Sequence, residues 1–174
     1  ALGSGLNSSG TASSVITVQY AGSSRGTSVV SFGSGISTTG MQLNGNAVLN
    51  GNRLQLTDTN NIYEDSSAFW TQQVNVQSFT TDFSFQIINP IADGMTFTIQ
   101  RAGVTALGPA GGGLGYGPDT VGGTLGIPSS VAVKFDIYNN AGESSNSTGL
   151  YTNEASPTAH PTAIGGGVNL QPGH

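Results

Sequence analysis

Hydrophobic and polar residues alternate along much of this chain with a period of two, which is typical of strands that bury one face. The clearest alternation covers Phe79–Ile88, and shorter runs cover Met95–Gln100 and Val131–Tyr138. Asn50-Gly51 between two apolar runs favours a tight hairpin. No stretch shows the helical period of about 3.6. The pattern therefore predicts an all-β protein, either an antiparallel β-sandwich or a barrel.

The start of the chain differs from the rest. Ala1–Ser14 is rich in Gly, Ser and Asn and predicts a linker, and Val15–Tyr20 predicts one short extra strand. The regular strand pattern begins only after a second polar break. We therefore divide the chain into a linker with an extra strand over 1–28 and a β-sandwich domain over 29–174.

The composition narrows the function classes. Charged residues make up 7% of the chain, against about 25% in an ordinary soluble domain. Hydroxyls and amides carry the hydration instead, which is common in extracellular β proteins and also suits a fibrous element, so we expect a secreted, extracellular protein. The four basic residues are scattered, which excludes a nucleic-acid footprint, and no apolar run is long enough for membrane insertion. The absence of Cys excludes thiolate metal sites.

Oxygen-bearing side chains crowd together where the Val131–Tyr138 pattern ends. They include two of the chain's nine acidic residues, Asp136 and Glu143, together with Asn139 and Asn140. Hard cations such as Ca²⁺ take several carboxylate, amide and carbonyl oxygens as ligands. Spacing alone leaves two interpretations, a calcium loop or a polar surface loop with two solvated acids.

Three motifs then carry a family resemblance. Val131–Asn140, with the sequence VAVKFDIYNN, resembles the metal-loop strand of the legume (L-type) lectins. Ala92-Asp93-Gly94 before an apolar strand and the glycine-rich Gly111–Gly115 resemble two further motifs of that family. The matches follow the family's order and spacing over about Val30–Pro157, and they are most similar to bacterial secreted domains. The resemblance implies a concanavalin-like jelly-roll β-sandwich.

The resemblance also implies a sugar site. Its residues would be Asp93, Gly111, Gly112, Gly113, Tyr138 and Asn140. Asp93, after a cis Ala-Asp peptide, would accept hydrogen bonds from sugar hydroxyls. A backbone amide of the glycines would approach the sugar, and the Tyr138 ring would stack on it. Without the resemblance, Asp93 indicates an Asx turn, the glycines a flexible loop and Tyr138 an ordinary strand residue.

The resemblance further implies one Ca²⁺ ion. Its ligands would be Asp136, the Tyr138 carbonyl, Asn140 and Glu143. The chain departs from the family at a second metal site, where Lys134 replaces a Glu and Ser147 lies near the place of a His. An ammonium group cannot ligate a cation, and a hydroxyl is a poor substitute for imidazole. We therefore expect the transition-metal site to be lost, with Lys134 either placing its charge beside Asp136 or pointing to solvent.

These motifs predict a calcium-dependent carbohydrate-binding extracellular module whose partner is a glycan or polysaccharide. The alternative is a structural subunit of an extracellular fibre or surface layer that uses the same fold for assembly. An enzyme is not expected, because a glycoside hydrolase needs paired carboxylates. Glu64, Glu143 and Glu154 do not lie on one strand.

A last expectation concerns the sheets. The family would continue after His174 into its last strands, so we expect an incomplete sandwich with unpaired interior edges. Val15–Tyr20, or the same segment of a neighbouring molecule, would occupy part of that gap. The second case predicts a homo-oligomer or an assembly by strand donation.

Overall fold

The computed structural model describes the chain in five ranges, which are 2–6, 10–12, 30–32, 35–58 and 62–171. These residues form eleven strands and one short 3-10 helix, Gly111–Gly113. The strands in chain order are β1 Leu2–Leu6, β2 Gly10–Ala12, β3 Met41–Gly45, β4 Val48–Asn50, β5 Arg53–Thr57, β6 Glu64–Trp70, β7 Gln86–Ile87, β8 Asp93–Gln100, β9 Ser130–Asp136, β10 Ser147–Thr152 and β11 Thr162–Ala163.

The strands form two antiparallel sheets. The large sheet has the order β11-β10-β9-β8-β1-β6-β3, and the small sheet has the order β4-β5-β2-β7. The two sheets share one apolar core, so the predicted antiparallel β-sandwich is confirmed. No helix in the described ranges is long and apolar enough to cross a membrane.

The first strands depart from the sequence prediction. A linker was expected over Ala1–Ser14, but β1 pairs with both β6 and β8, and β2 pairs with both β5 and β7. An interior strand gains backbone hydrogen bonds on both sides whatever its side chains, which explains why the hydrophobic pattern did not reveal these strands. Val15–Tyr20 lies outside the described residues, so the division at residue 28 and assembly by strand donation stay predictions.

The core between the sheets is built from aliphatic and aromatic side chains. Leu54 and Leu56 of the small sheet pack in one cluster with Met95 of the large sheet. The Phe83 ring stacks on Phe97 at a centroid distance of 5.4 Å. Burial of such side chains contributes about 1.5–3 kcal/mol each. This cluster holds the two sheets together.

Two local predictions are refined by the structure. The Asn50-Gly51 hairpin is confirmed, with Asn50 opposite Arg53 and the turn at residues 51–52. The long strand expected over Phe79–Ile88 is wrong, because only Gln86–Ile87 pairs as a strand there. Phe83 and Phe85 of that segment still pack against the core. The alternation of hydrophobic and polar residues predicted side-chain burial correctly. It could not predict whether a neighbouring strand forms backbone hydrogen bonds with this segment.

Close pairing of β8 with β9 and of β9 with β10 positions the site. Gly94 lies opposite Asp136, and Asp136 lies opposite Ser147. A Cβ on Gly94 would come within 2.3 Å of the Phe135 carbonyl oxygen. Only glycine therefore allows β8 to approach β9 this closely next to Asp93.

We predict that Gly94→Ala lowers the free energy of unfolding by about 2 kcal/mol or more, because the added methyl group must push two paired strands apart. Urea unfolding measures the change. Gly165→Ala is the matched control, since a Cβ at Gly165 meets nothing within 4 Å. Equal stability of the two variants would contradict the close approach.

Candidate functional site

Neighbouring strands of the large sheet bring acidic and hydroxyl side chains to one end of the sandwich. Asp93 begins β8, Asp136 ends β9 and Ser147 begins β10. The side chains of Lys134 and Asp136 are both buried, whereas Phe135 between them packs on the core shared by the two sheets. The period of two thus points Lys134 and Asp136 away from that core, beneath the loops that cover the other face.

Asp93 is hydrogen-bonded to Asn140, and both residues were predicted from the sequence to belong to the sugar site. The Ala92–Asp93 peptide bond is cis, as the resemblance implied. Asn140 Nδ2 donates a hydrogen bond to Asp93 Oδ1 at 3.1 Å, across 47 positions of the chain. Asp93 is 2% exposed, and its Oδ2 atom is buried without a hydrogen-bond partner among the described residues.

The electrostatic surroundings of Asp93 are acidic. Burial raises the pKa of Asp93 to about 6, and the hydrogen bond from Asn140 opposes this shift. The negative charges of Asp136, Asp119 and Glu143 raise the pKa further. The site therefore disfavours a further anion and favours a cation or hydroxyl donors.

The glycine turn lies against Asn140. A Cβ on Gly112 would come within 2.9 Å of the Asn140 side chain and within 2.8 Å of Asp119 Oδ1. Gly111 is also close to Asp119, whereas Gly113 packs against Pro109. Gly112 therefore lies against Asn140, which is hydrogen-bonded to Asp93, whereas Gly111 lies against Asp119. Gly113 does not meet Asn140.

Tyr138 lies at the start of the loop that follows β9. Its N–H group donates to Asp136 Oδ1 at 3.0 Å. Its side chain is 45% exposed, two positions from Asn140. A half-exposed ring held by its backbone is suited to stacking on an apolar ligand face.

Glu143 lies inside the same loop and is buried. The N–H group of Ala141 donates to Glu143 Oε2, and Asn139 Oδ1 accepts from Gly142 N–H at 2.6 Å. Glu143 Oε1 is buried and has no hydrogen-bond partner in the described part of the chain. The loop is thus closed by its own side chains around an unsatisfied carboxylate oxygen.

The expected calcium ligands fit a hard cation. No group of three or more His, Cys, Asp or Glu side chains in the described ranges forms a metal cluster. The expected set, however, has only two carboxylates, Asp136 and Glu143, and takes its other oxygens from an amide and a carbonyl. Burial raises the pKa of Asp136, and the charge of Glu143 raises it further. Glu143 Oε1 has no hydrogen-bond partner in the described part of the chain, and a cation would stabilise two buried carboxylates that repel one another.

Lys134 points into the protein and not to solvent. It is fully buried, and its Nζ atom donates to Asp136 Oδ2 at 2.8 Å and to the Pro157 carbonyl at 2.7 Å. Of the two positions considered from the sequence, the one beside Asp136 is confirmed.

Two further residues of this region were not predicted as site residues. Asp119 lies against Gly111 and Gly112, and its proximity to a glycine run in a chain with few acids was the available signal. Asn146 holds the last described segment to the loop. Its Nδ2 atom donates to the Val168 carbonyl at 2.8 Å, and its Oδ1 atom accepts from Leu170 N–H at 3.1 Å. The sequence marked Asn146 only as part of the oxygen-rich run after β9 and of an Asn-Ser-Thr glycosylation sequon, and neither pattern predicts these contacts.

Comparison with known families agrees with this geometry. A family model described as a legume lectin domain matches residues 13–173. The match covers all of the site residues described above.

We predict that Asn146→Ala increases hydrogen exchange at the Leu170 amide, because the substitution removes the acceptor of that N–H group. Exchange measured by mass spectrometry on peptides that cover residues 164–171 tests this. Asn139→Ala is the control, since it removes a hydrogen bond confined to the loop. Unchanged exchange of 164–171 in Asn146→Ala would contradict the assigned contacts.

Proposed function

The chain belongs to the legume lectin domain family, and from this premise we propose that it is a calcium-dependent carbohydrate-binding module of an extracellular protein. Its ligand is a glycan or polysaccharide, and binding involves no chemical reaction. The low charge of the chain supports the extracellular setting. The family match supports carbohydrate binding.

The observation that carries the proposal is the contact of Asp93 with Asn140 beside Gly112. The three residues come from separate segments, and the Asn140 amide bridges the buried carboxylate and the surface. A carboxylate accepts hydrogen bonds from sugar hydroxyls, and the exposed Tyr138 ring, two positions from Asn140, offers an apolar surface. The exposed Asp119 carboxylate, beside Gly111 and Gly112, adds a second hydrogen-bond acceptor. This combination of acceptors and an aromatic ring is suited to a polyhydroxylated ring.

Calcium would be held by Asp136, the Tyr138 carbonyl, Asn140 and Glu143, and it would supply positive charge that orders the loop. The Asn140 amide has two ends with different roles. Its Nδ2 atom is bonded to Asp93, so its Oδ1 atom is the end suited to a cation. Asn140 thereby couples the cation-binding loop to the sugar-binding carboxylate. An ordered loop lowers the conformational entropy lost on glycan binding.

We predict that Asp93→Asn weakens glycan binding about tenfold to a hundredfold, because it removes a charged acceptor whose hydrogen bonds contribute about 1.5–3 kcal/mol. Calorimetry against a glycan identified on an array measures the loss. Asp82→Asn removes an exposed carboxylate that is not among the charges acting on Asp93, and it should bind as the wild type does. Wild-type affinity in Asp93→Asn would show that the sugar site lies elsewhere.

We also predict that Ca²⁺ raises the melting temperature and that EDTA reverses the rise. At a free calcium concentration 100 times the dissociation constant, the stabilisation is about 2.7 kcal/mol. Glu143→Gln should reduce the calcium affinity at least tenfold, whereas Glu154→Gln, at an exposed position, should not. A wild-type melting temperature that ignores millimolar Ca²⁺ would disprove the calcium site.

A further inference from the structure

Lys134 is a fully buried cation near the end of β9, two residues before Asp136. Its ammonium group donates hydrogen bonds to Asp136 Oδ2 at 2.8 Å and to the Pro157 carbonyl oxygen at 2.7 Å. The Tyr151 ring lies below it, with its centroid 5.8 Å from Nζ. Burying an ammonium group is costly unless it is paired and hydrogen-bonded. All three contacts therefore compensate its removal from water.

The neighbouring strands leave room for this side chain. Thr96 of β8 and Gly149 of β10 flank Lys134 in the sheet. A Cβ on Gly149 would come within 2.5 Å of the Tyr151 hydroxyl oxygen. The missing side chain at Gly149 thus lets Tyr151 lie across the sheet towards Lys134. Asp136, the Pro157 carbonyl and the Tyr151 ring thus enclose the lysine ammonium group.

Lys134 acts on the binding loop through Asp136. One carboxylate oxygen of Asp136 bonds to Lys134 and the other accepts the Tyr138 N–H group. Ser147 Oγ donates to the lysine-bonded oxygen at 3.4 Å. The ammonium group therefore fixes the orientation of the carboxylate from which the loop begins.

A transition metal does not fit beside Asp136. Lys134 and Ser147 present an ammonium group and a hydroxyl where the family resemblance implies a carboxylate and an imidazole. A metal ion placed against Asp136 Oδ2 would meet the positive Nζ atom, which already holds that oxygen. The residues present exclude a second metal ion at this position.

We propose that the Lys134 ammonium is a built-in cation that replaces a structural metal ion and positions Asp136 for calcium binding. Lys134 is a positioning residue, since it touches neither the sugar site nor the expected calcium ligands other than Asp136. The proposal rests on the proposed function only for the calcium ion. It adds that one of the two cations beside Asp136, the ammonium group, belongs to the protein chain, whereas the other is the calcium ion. The orientation of Asp136 then does not depend on the supply of a transition metal.

The first experiment separates positioning from stability. Lys134→Met keeps the apolar stem and removes the charge, and we expect calcium affinity measured by calorimetry to fall at least tenfold. Arg101→Met removes an exposed basic side chain that follows the opposite end of β8, and it should keep wild-type calcium affinity. Wild-type calcium affinity in folded Lys134→Met would overturn the positioning role.

The second experiment exchanges the lysine for a metal ion. The double variant Lys134→Glu, Ser147→His offers a carboxylate and an imidazole beside Asp136. In saturating Ca²⁺, we expect Mn²⁺ or Zn²⁺ to raise its melting temperature by several degrees and to leave the wild type unchanged. If the variant does not fold alone, recovery of folding when Mn²⁺ is added during refolding gives the same result.

Three outcomes of the metal experiments would also contradict the proposal. The first is stoichiometric Mn²⁺ in the wild type by elemental analysis. The second is a wild-type melting temperature that rises with Mn²⁺. The third is a double variant that ignores both metals when folded and cannot be refolded with either. These readouts involve no glycan, so failed glycan binding would reject the proposed function and leave the role of Lys134 to be decided by metal exchange.

Discussion

The buried ion pair between Lys134 and Asp136 is the interaction on which the arrangement of the site depends. Asp136 is the last residue of β9, and its two oxygens face different partners, an ammonium group and the Tyr138 N–H group. Removing one partner of a buried pair leaves an uncompensated charge, which typically costs about 3–5 kcal/mol. The pair therefore links the stability of the large sheet to the conformation of the loop that begins at Tyr138.

One strand serves both the core and the site because its side chains alternate. Phe135 packs with the phenylalanines between the sheets, whereas its neighbours Lys134 and Asp136 lie beneath the covering loops. Pairing with β8 sets Gly94 opposite Asp136 and so brings Asp93 next to the loop. The aromatic core thus fixes the register, and the register brings the acidic residues together. Burial raises the pKa of Asp93, and repulsion by the neighbouring carboxylates raises it further.

Much of this could be predicted from local patterns, and the rest depended on long-range pairing. Asp93, Asp136 and Asn140 were predicted as site residues because each lies in a short motif at a strand end that resembles a motif of the legume lectins. The strand Leu2–Leu6 was not recognisable, because it is placed by backbone bonds to β6 and β8 and has no hydrophobic pattern of its own. The contact of Asn146 with Leu170 could not be predicted for a similar reason, since the two residues lie 24 positions apart. Asp119 is close in sequence to the glycines that it contacts, but no motif marked it. The orientation of Lys134 required the contact with Pro157 to be known.

The central claim is that Asp93, Gly112 and Asn140 form one carbohydrate site. Backbone amide shifts of the isotopically labelled protein, followed by NMR during titration with a binding glycan in the presence of Ca²⁺, test it most directly. The account predicts that the largest shifts cluster at Asp93, Gly112, Tyr138 and Asn140, with small changes along β4 and β5 of the other sheet. Large shifts confined to the small sheet, with the amides around Asp93 unchanged, would contradict it.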